Sequence, residues 1–462
     1  MTHPSTIAAL ATAPGVSAVA VIRLSGPEAL AVAARLLPER AAQRLEGGAI
    51  RLFSLFRDPA SGEHLDQGLI HVFRAPRSST GEDVVELHGH GGRVAPRRLL
   101  DAVLRAGARH AEPGAFTRRA LLNGKIDLVQ AEALLDLIEA PAEGLHRQAV
   151  YQLTGALSRK IAGLRESLVR AMAHLELAID FPEDDVRAPA GWREGVTDVR
   201  HEVARLIESF RTGELLRHGV RVALAGLPNV GKSSLFNCML GEERAIVSTQ
   251  PGTTRDAIEA EIRLDGFACR LVDTAGLREA RDEVEALGVE RTRRQVQAAQ
   301  IVLVVLDATQ ALREDERALL RELKDSGRVV VALNKSDMVP KDSDRLDHIK
   351  TGLLINFDPL WVSAVSGEGR EALLRRLLRV ATLDVRFTPE ELAVTRLRQR
   401  HLLASCLQHL DRMLTKSAET LELPELLAAD LRDAADDLSS IVGVISSDDV
   451  LDRVFSQFCI GK

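Results

Sequence analysis

Gly226-Leu-Pro-Asn-Val-Gly231-Lys232-Ser233 decides the fold of a large part of this 462-residue chain. It fits the pattern G-x-x-x-x-G-K-[ST]. It follows an apolar run at residues 220–225 and opens a helix-like segment, the strand–loop–helix setting the pattern needs. Its glycines let backbone N–H groups curl around phosphate oxygens, and the helix N-terminus adds a field that favours an anion. Asn229, Val230, Gly231, Lys232, Ser233 and Ser234 are therefore the candidate phosphate cradle. Lys232 would reach the β- and γ-phosphates and Ser233 would ligate Mg²⁺. A plain Gly-rich turn is the bland alternative, and the companions of the motif argue against it.

Downstream, Asp273-Thr274-Ala275-Gly276 follows a second apolar run. Asp273 would hold Mg²⁺ through water, and the Gly276 N–H would sense the γ-phosphate. Between the two motifs lies Gly252-Thr253-Thr254-Arg255-Asp256, where Thr254 can complete the Mg²⁺ shell. Asn334-Lys335-Ser336-Asp337 follows the run at 329–333. A carboxylate there accepts two hydrogen bonds from guanine, which adenine cannot offer. Ser363-Ala364, after another run, is the usual last base contact. Five motifs in this order, from 226 to 364, predict a GTPase and reject a general P-loop ATPase. After D-T-A-G stands Leu277, which cannot hydrogen-bond a water, so another group must orient it. The carbonyl oxygen of Asn229 could coordinate a monovalent cation beside the phosphates. Glu285 could orient water, although it sits in a charged stretch that also reads as a solvated face.

Working outward, apolar runs at 220–225, 269–272, 301–306, 329–333 and 360–362 alternate with helical segments, the texture of a doubly wound parallel sheet. Residues 1–120 mix short β-like runs (19–24, 68–73 and 83–87) with a helical stretch near 94–105, which predicts a small α+β domain. From 128 to 180 apolar residues recur at three and four spacing, broken once at Pro141, and the helical pattern returns after Pro389. The predicted fold is a multidomain α/β and α chain. An N-terminal α+β domain spans 1–120, a discontinuous helical domain 121–216 and 381–462, and a Ras-like P-loop G domain, 217–380, is inserted between the helical halves.

Composition limits the rest. Sixty Lys and Arg against 66 Asp and Glu argue against a globally basic nucleic-acid coat. Aromatics are 3%, so the cores must be built from Leu, Val, Ile and Ala. The four cysteines, Cys238, Cys269, Cys406 and Cys459, are far apart in sequence, which predicts no disulfide framework or zinc knuckle and a reducing, cytoplasmic setting. The apolar runs are too short to span a bilayer, and no secretory signal or membrane association is predicted.

Several stretches go beyond a generic GTPase. They are Thr6-Ile-Ala-Ala, Thr80-Gly-Glu-Asp-Val-Val-Glu86-Leu-His-Gly-His-Gly-Gly92, Glu112-Pro-Gly-Ala-Phe-Thr-Arg-Arg-Ala-Leu-Leu-Asn-Gly-Lys125, Ile179-Asp-Phe-Pro-Glu-Asp-Asp185 and the end Cys459-Ile-Gly-Lys462. With the GTPase motifs they make the whole chain resemble the MnmE (TrmE) family of tRNA-modification GTPases. The resemblance implies modification of the wobble uridine of tRNA at carbon 5, adding an aminomethyl or carboxymethylaminomethyl group with an FAD-containing, MnmG-like partner in a heterotetramer. It implies a formyl- or methylene-tetrahydrofolate one-carbon donor held by the N-terminal domain, which also dimerises, and K⁺-dependent G domains that meet across the homodimer. Carried over residue by residue, it puts folate contacts at Arg23, Glu86, Lys125 and Lys462, and potassium at Asn229, Ser248, Gln250 and Thr253. Ser248, Thr249, Gln250 and Pro251 join the nucleotide site, and Glu285 becomes the water-orienting carboxylate. Ser248 stands where Thr is common, and Leu121 where Phe is common, a packing change.

Two stretches stay open to more than one reading. Residues 93–125 carry eight Lys and Arg against Asp101 and Glu112, which fits tRNA contact or solvated helix faces equally. Cys459 could be a nucleophile or a small packing residue. A regulatory GTPase switch would use the same five motifs, but has no need of the N-terminal domain or the C-I-G-K end.

Overall fold

A computed structural model describes residues 5–180, 192–241, 258–273, 299–324, 327–339, 357–383, 392–419, 424–444 and 448–461. The chain divides into two compact units. One comprises Met1–Leu135, Gln152–Val199 and Gln408–Lys462, the other Asp136–Tyr151 and Arg200–Leu407.

The first unit begins with a six-stranded sheet: β1 (Ile7–Leu10), β2 (Val19–Ser25), β3 (Arg51–Arg57), β4 (His64–Phe73), β5 (Val84–His90) and β6 (Arg109–His110), in the order β3-β4-β5-β2-β1-β6. All pairs are antiparallel except β1 with β6. Strand β3 shows why one face is covered. Leu52, Ser54 and Phe56 alternate inward, and Phe53 and Leu55 face out. The covered face packs on α1 (Ala29–Ala34), α2 (Glu39–Glu46) and α3 (Ala95–Arg105), through Leu30, Val32, Leu45, Leu99 and Val103. Pro96 in the first turn of α3 suits its fixed φ. Helix α4 (Ala115–Leu122) follows β6.

Periodicity predicts one break between 128 and 180; the structure has two. Helices α5 (Leu128–Glu139) and α6 (Glu143–Leu153) part at Pro141 as expected, and α6 and α7 (Ala156–Asp180) part again at Gly155. Gly155 has φ +80°, a left-handed turn that ends α6 although the apolar spacing continues through it. Helix α8 (Trp192–His218) leads to the second sheet. Near the C-terminus come α12 (Leu397–Glu419), α13 (Pro424–Val442) and α14 (Asp448–Phe455). Helix α7 packs along α13, where Arg165 Nε donates to Ser439 Oγ at 2.8 Å. Leu451, Phe455 and Phe458 pack with Leu128, Ala131 and Leu135, and Leu121 lies against them, a packing position as expected.

The second unit holds the other sheet: β7 (Val220–Ala225), β8 (Ile258–Leu264), β9 (Phe267–Asp273), β10 (Ile301–Asp307), β11 (Val329–Asn334) and β12 (Leu360–Trp361), ordered β12-β11-β10-β7-β9-β8. The helices are α9 (Lys232–Leu240), α10 (Glu314–Leu323) and α11 (Arg370–Ala381). In β10 the run Ile-Val-Leu-Val-Val-Leu is buried on both faces. Leu303 and Val305 pack with α9 and α11 residues on one side, and Val302, Val304 and Leu306 pack with Leu320 of α10 on the other. One expectation needs correcting: the sheet is not wholly parallel, because β8 is an antiparallel edge strand on β9. Its hairpin turn, Asp265-Gly266, has φ +45° and +86°, the two positive values a tight hairpin turn demands.

The chain leaves α8 for β7 and returns beside it. Asp136, on α5, is buried and accepts hydrogen bonds from Arg396 Nη2 at 2.6 Å and Thr395 Oγ1 at 2.9 Å, with Arg217 Nε of α8 at 3.4 Å. Gln148 Oε1 accepts from the Ala393 N–H at 3.2 Å, and Ser209 Oγ from the Val394 N–H at 3.1 Å. A Cβ on Gly213 would lie 2.0 Å from the Val394 oxygen, so only glycine lets α8 approach this closely. An inserted sheet needs its two connecting segments side by side, and these contacts hold them there. Replacing Asp136 with Ala removes the carboxylate that faces two guanidinium groups. A loss of about 3–5 kcal/mol in urea denaturation is expected, the usual cost of breaking a buried ion pair; a loss below about 1 kcal/mol would show that packing alone holds the crossing.

Candidate functional site

The motifs at the ends of β7, β9, β10, β11 and β12 share one edge of the second sheet. The register pairs Leu224 with Asp273 and Asp307 with Asn334, so these strand ends lie level. Strand β7 is central: β9 and β8 lie on one side of it and β10, β11 and β12 on the other. The phosphate loop leaves its C-terminal end at the point where strand order reverses, where ligands bind in open α/β sheets.

Residues 226–231 then curl with three left-handed positions: Gly226 at φ +143°, Asn229 at +64° and Gly231 at +91°. A Cβ on Gly226 would meet the Val305 oxygen at 2.3 Å, and one on Gly231 would meet Asn334 Nδ2 at 2.3 Å. The loop is thus pressed against β10 and β11, leaving its N–H groups for an anion at the start of α9. Lys232 is buried, and its Nζ donates to the carbonyl oxygens of Gly226 at 2.9 Å and Leu227 at 2.7 Å. It is held over the loop where it can exchange a carbonyl for a phosphate oxygen. Ser233 and Ser234 are exposed in the first turn of α9, and Asn229 is exposed in the loop. Asp273 closes β9.

The base end is tied to the phosphate end through two side chains. Buried Asn334 donates from Nδ2 to the Val230 oxygen at 2.9 Å and accepts at Oδ1 from the Ala364 N–H at 3.1 Å. Lys335, itself left-handed at φ +67°, donates to the Asn229 oxygen at 3.0 Å and to Asp307 Oδ2 at 2.6 Å. Asp337 is exposed in a short 3₁₀ turn beyond them. Buried Ser363 accepts at Oγ from the N–H groups of Val365 and Ser366, which shapes the loop that presents Ala364. Sequence reasoning missed Asp307. Burial alone would raise its carboxyl, but hydrogen bonds from Lys335 and Thr309 outweigh that and hold it below its ordinary range. Its only sequence signal is an acid closing an apolar strand, which is too common to single it out.

On the first sheet, Arg23 and Glu86 are cross-strand partners on β2 and β5, with Nε and Oε1 2.9 Å apart. His88 Nε2 lies 3.3 Å from the other Glu86 oxygen, and the Arg23 guanidinium sits 5.8 Å from the Phe116 ring centre. Lys125 Nζ is engaged with the Pro76 oxygen at 2.9 Å. The Thr80-Gly-Glu-Asp segment is pinned by Asn123 to the Thr80 oxygen at 2.7 Å and by Arg119 to Glu82 at 2.7 Å. The C-terminal tail reaches the same sheet: Cys459 is exposed, and a Cβ on Gly461 would lie 2.3 Å from the Leu10 oxygen, one residue along from the β1 partner of Arg23. Of the basic residues at 93–125, Arg98, Arg105, Arg118 and Arg119 face Glu63, Asp58, Asp452 and Glu82. Much of that charge is neutralised within the fold. Ser248, Thr249, Gln250, Pro251, Gly252, Thr253, Thr254, Thr274, Ala275, Gly276, Leu277, Glu285 and Lys462 lie outside the described residues, as does the acidic stretch 181–185. No described helix is long and apolar enough to cross a membrane.

Comparison with known proteins agrees with this layout. A profile described as the MnmE helical domain matches residues 128–459, and one described as the GTP-binding protein TrmE N-terminus matches 6–125. The chain is 43% identical over 466 residues to the tRNA modification GTPase MnmE of Moorella thermoacetica, covering 99% of each chain. It is 40% identical over 462 residues to that of Aquifex aeolicus, again covering 99% of each. Among solved structures, the G domain of the T. maritima FeoB iron transporter is 32% identical, covering 35% of this chain and 98% of that one, with a TM-score of 0.27; at that score the fold rests on the strand order above. The two profiles and full-length identity of this degree leave one assignment: the chain belongs to the MnmE family of tRNA modification GTPases.

Proposed function

We propose that this GTPase modifies the wobble uridine of tRNA at carbon 5. It would add an aminomethyl or carboxymethylaminomethyl group together with an FAD-containing, MnmG-like partner, with a one-carbon unit from formyl- or methylene-tetrahydrofolate. It would act in the cytoplasm as a homodimer whose G domains meet. The observation that carries the GTPase part is the joint made by Asn334 and Lys335, which fixes a left-handed phosphate loop against the guanine-selecting loop. A single bound nucleotide spans both.

In this reading the N–H groups of 226–231 and Lys232 hold the phosphates, and Asp337 accepts from the guanine edge. Ser233, exposed at the start of α9, and Thr254 fit Mg²⁺, which would neutralise charge on the phosphates. Asn229, Ser248, Gln250 and Thr253 are proposed for potassium. Of these Asn229 is described, exposed at the tip of the loop beside the phosphate cradle, which suits a ligand role. A cation there would do the electrostatic work of an arginine finger, about 10³–10⁵ in rate. Glu285 would accept a hydrogen bond from the attacking water and orient it. The Arg23–Glu86 pair offers a cation and an acceptor side by side, which fits the acidic tail and polar pterin edge of a folate. The Gly461 contact supports a role for the tail with Lys462 at the same sheet.

Hydrolysis should be faster in KCl than in NaCl at matched ionic strength, because a K⁺-shaped site discriminates by radius; equal rates would transfer the role to Arg255 or Arg278. Glu285→Ala should lose turnover, by a factor of about 10² or more, while keeping GTP affinity. Asp337→Asn should instead weaken the preference for guanine nucleotides. Separate titrations of binding and turnover check both, and loss of binding in Glu285→Ala would refute its assignment. Deleting residues 459–462 should abolish formyl-tetrahydrofolate binding in calorimetry and tRNA modification, while intrinsic GTP hydrolysis continues. Unchanged folate affinity would leave the tail with Cys459 chemistry or packing.

A further inference from the structure

The hairpin β8–β9 joins two parts of the nucleotide site. Strand β8 follows the Gly-Thr-Thr-Arg-Asp sequence, and β9 ends on Asp273 of Asp-Thr-Ala-Gly. The strands pair without interruption from Ile258 with Asp273 to Leu264 with Phe267. Such a ladder moves as one piece, so a shift at its nucleotide end reaches its turn.

That turn is not left to solvent. The Gly266 oxygen accepts a hydrogen bond from the Gly144 N–H at 2.8 Å, in the first turn of α6. The first four N–H groups of a helix have no partner inside it, so the turn of the hairpin caps α6. Both positions need glycine. A Cβ on Gly144 would lie 2.5 Å from the Gly266 oxygen, and Gly266 is left-handed. A glycine in the first turn of a helix costs about 0.5–1 kcal/mol against Ala, and here it permits the contact. The next residue, Leu145, is buried in the core of the second sheet with Leu216 and Phe267. Asp136 of α5 and Gln148 of α6 fasten these helices to the returning chain at 393–396, so α6 is tied near its middle while its first turn meets the hairpin.

We propose that the Gly266–Gly144 cap is the joint through which nucleotide state passes from the β8–β9 hairpin to α6. One strand residue rises about 3.3 Å, so a hairpin slip of a single residue breaks a 2.8 Å cap outright. In this proposal such a slip gives the cap a made and a broken state, the discrete element that coupling between sites requires. The proposal rests on the reading of the two flanking sequences as nucleotide-sensing segments.

Hydrogen exchange on the full-length protein tests it, with GDP and then a non-hydrolysable GTP analogue. Exchange of the Gly144 and Leu145 amides is expected to differ at least about fivefold between the two, the lower end of ordinary coupling. Peptides covering Asp-Thr-Ala-Gly should differ as well. A difference in those peptides with none in α6 overturns the joint and leaves nucleotide sensing intact; no difference in either overturns nucleotide sensing and the joint with it. The variant Gly144→Val supplies a reciprocal reading. Breaking a contact made in one nucleotide state must change the ratio of GTP-analogue to GDP affinity, by about fivefold or more, whereas a contact that only packs leaves the ratio unchanged. If that variant does not fold, the exchange experiment on the natural sequence decides alone.

Discussion

The side chain of Asn334 holds the nucleotide site together. Its amide gives one hydrogen bond to the phosphate loop at Val230 and takes one from the base loop at Ala364. Buried amides are costly to leave unmatched, so both loops must come to Asn334 for the strand end to be stable. Lys335 repeats the arrangement with a charge, bridging Asn229 and Asp307. The spacing between the loop at Val230 and the loop at Ala364 is thus set by one strand end of the sheet. Asp337 follows in the next turn, exposed beside that fixed strand end.

A similar economy governs the first sheet. Its open face carries the Arg23–Glu86 pair, and the covered face carries the core. Antiparallel strands permit this division because side chains alternate by face. The C-terminal tail comes to β1 through Phe455 and Phe458, which are buried against Leu128 and Leu135, and through Gly461, whose missing side chain lets the backbone lie on Leu10. Gly461 therefore lies against the first strand of the chain.

Between nucleotide and helices the structure uses backbone contacts at glycine. Gly213 admits the returning chain, Gly144 admits the hairpin turn, and Gly231 admits Asn334. The first two replace side-chain packing with a close approach of main chains, and the third seats a side-chain amide against the loop. Such contacts leave little room for a side chain at either position.

The sequence by itself determined the nucleotide chemistry. Phosphate loop, guanine motif and strand alternation are local patterns, each fixed by a few residues whose backbone or hydrogen-bonding needs leave little choice. Continuous apolar runs such as Ile-Val-Leu-Val-Val-Leu announced buried parallel strands for the same reason. Strand β1 and helices α1 and α2 were less legible, because short Ala-rich segments favour neither period. The second break at Gly155 was hidden by apolar spacing that runs through it, and the antiparallel β8 by the expectation of parallel order. What only tertiary structure decided was which distant groups meet: Asp307 with Lys335, Asp136 with Arg396, Gly461 with Leu10, and Gly144 with Gly266. A single carboxylate or glycine carries no mark of its partner, because the partner is chosen by the path of the chain and the packing of whole elements, which no window of sequence contains.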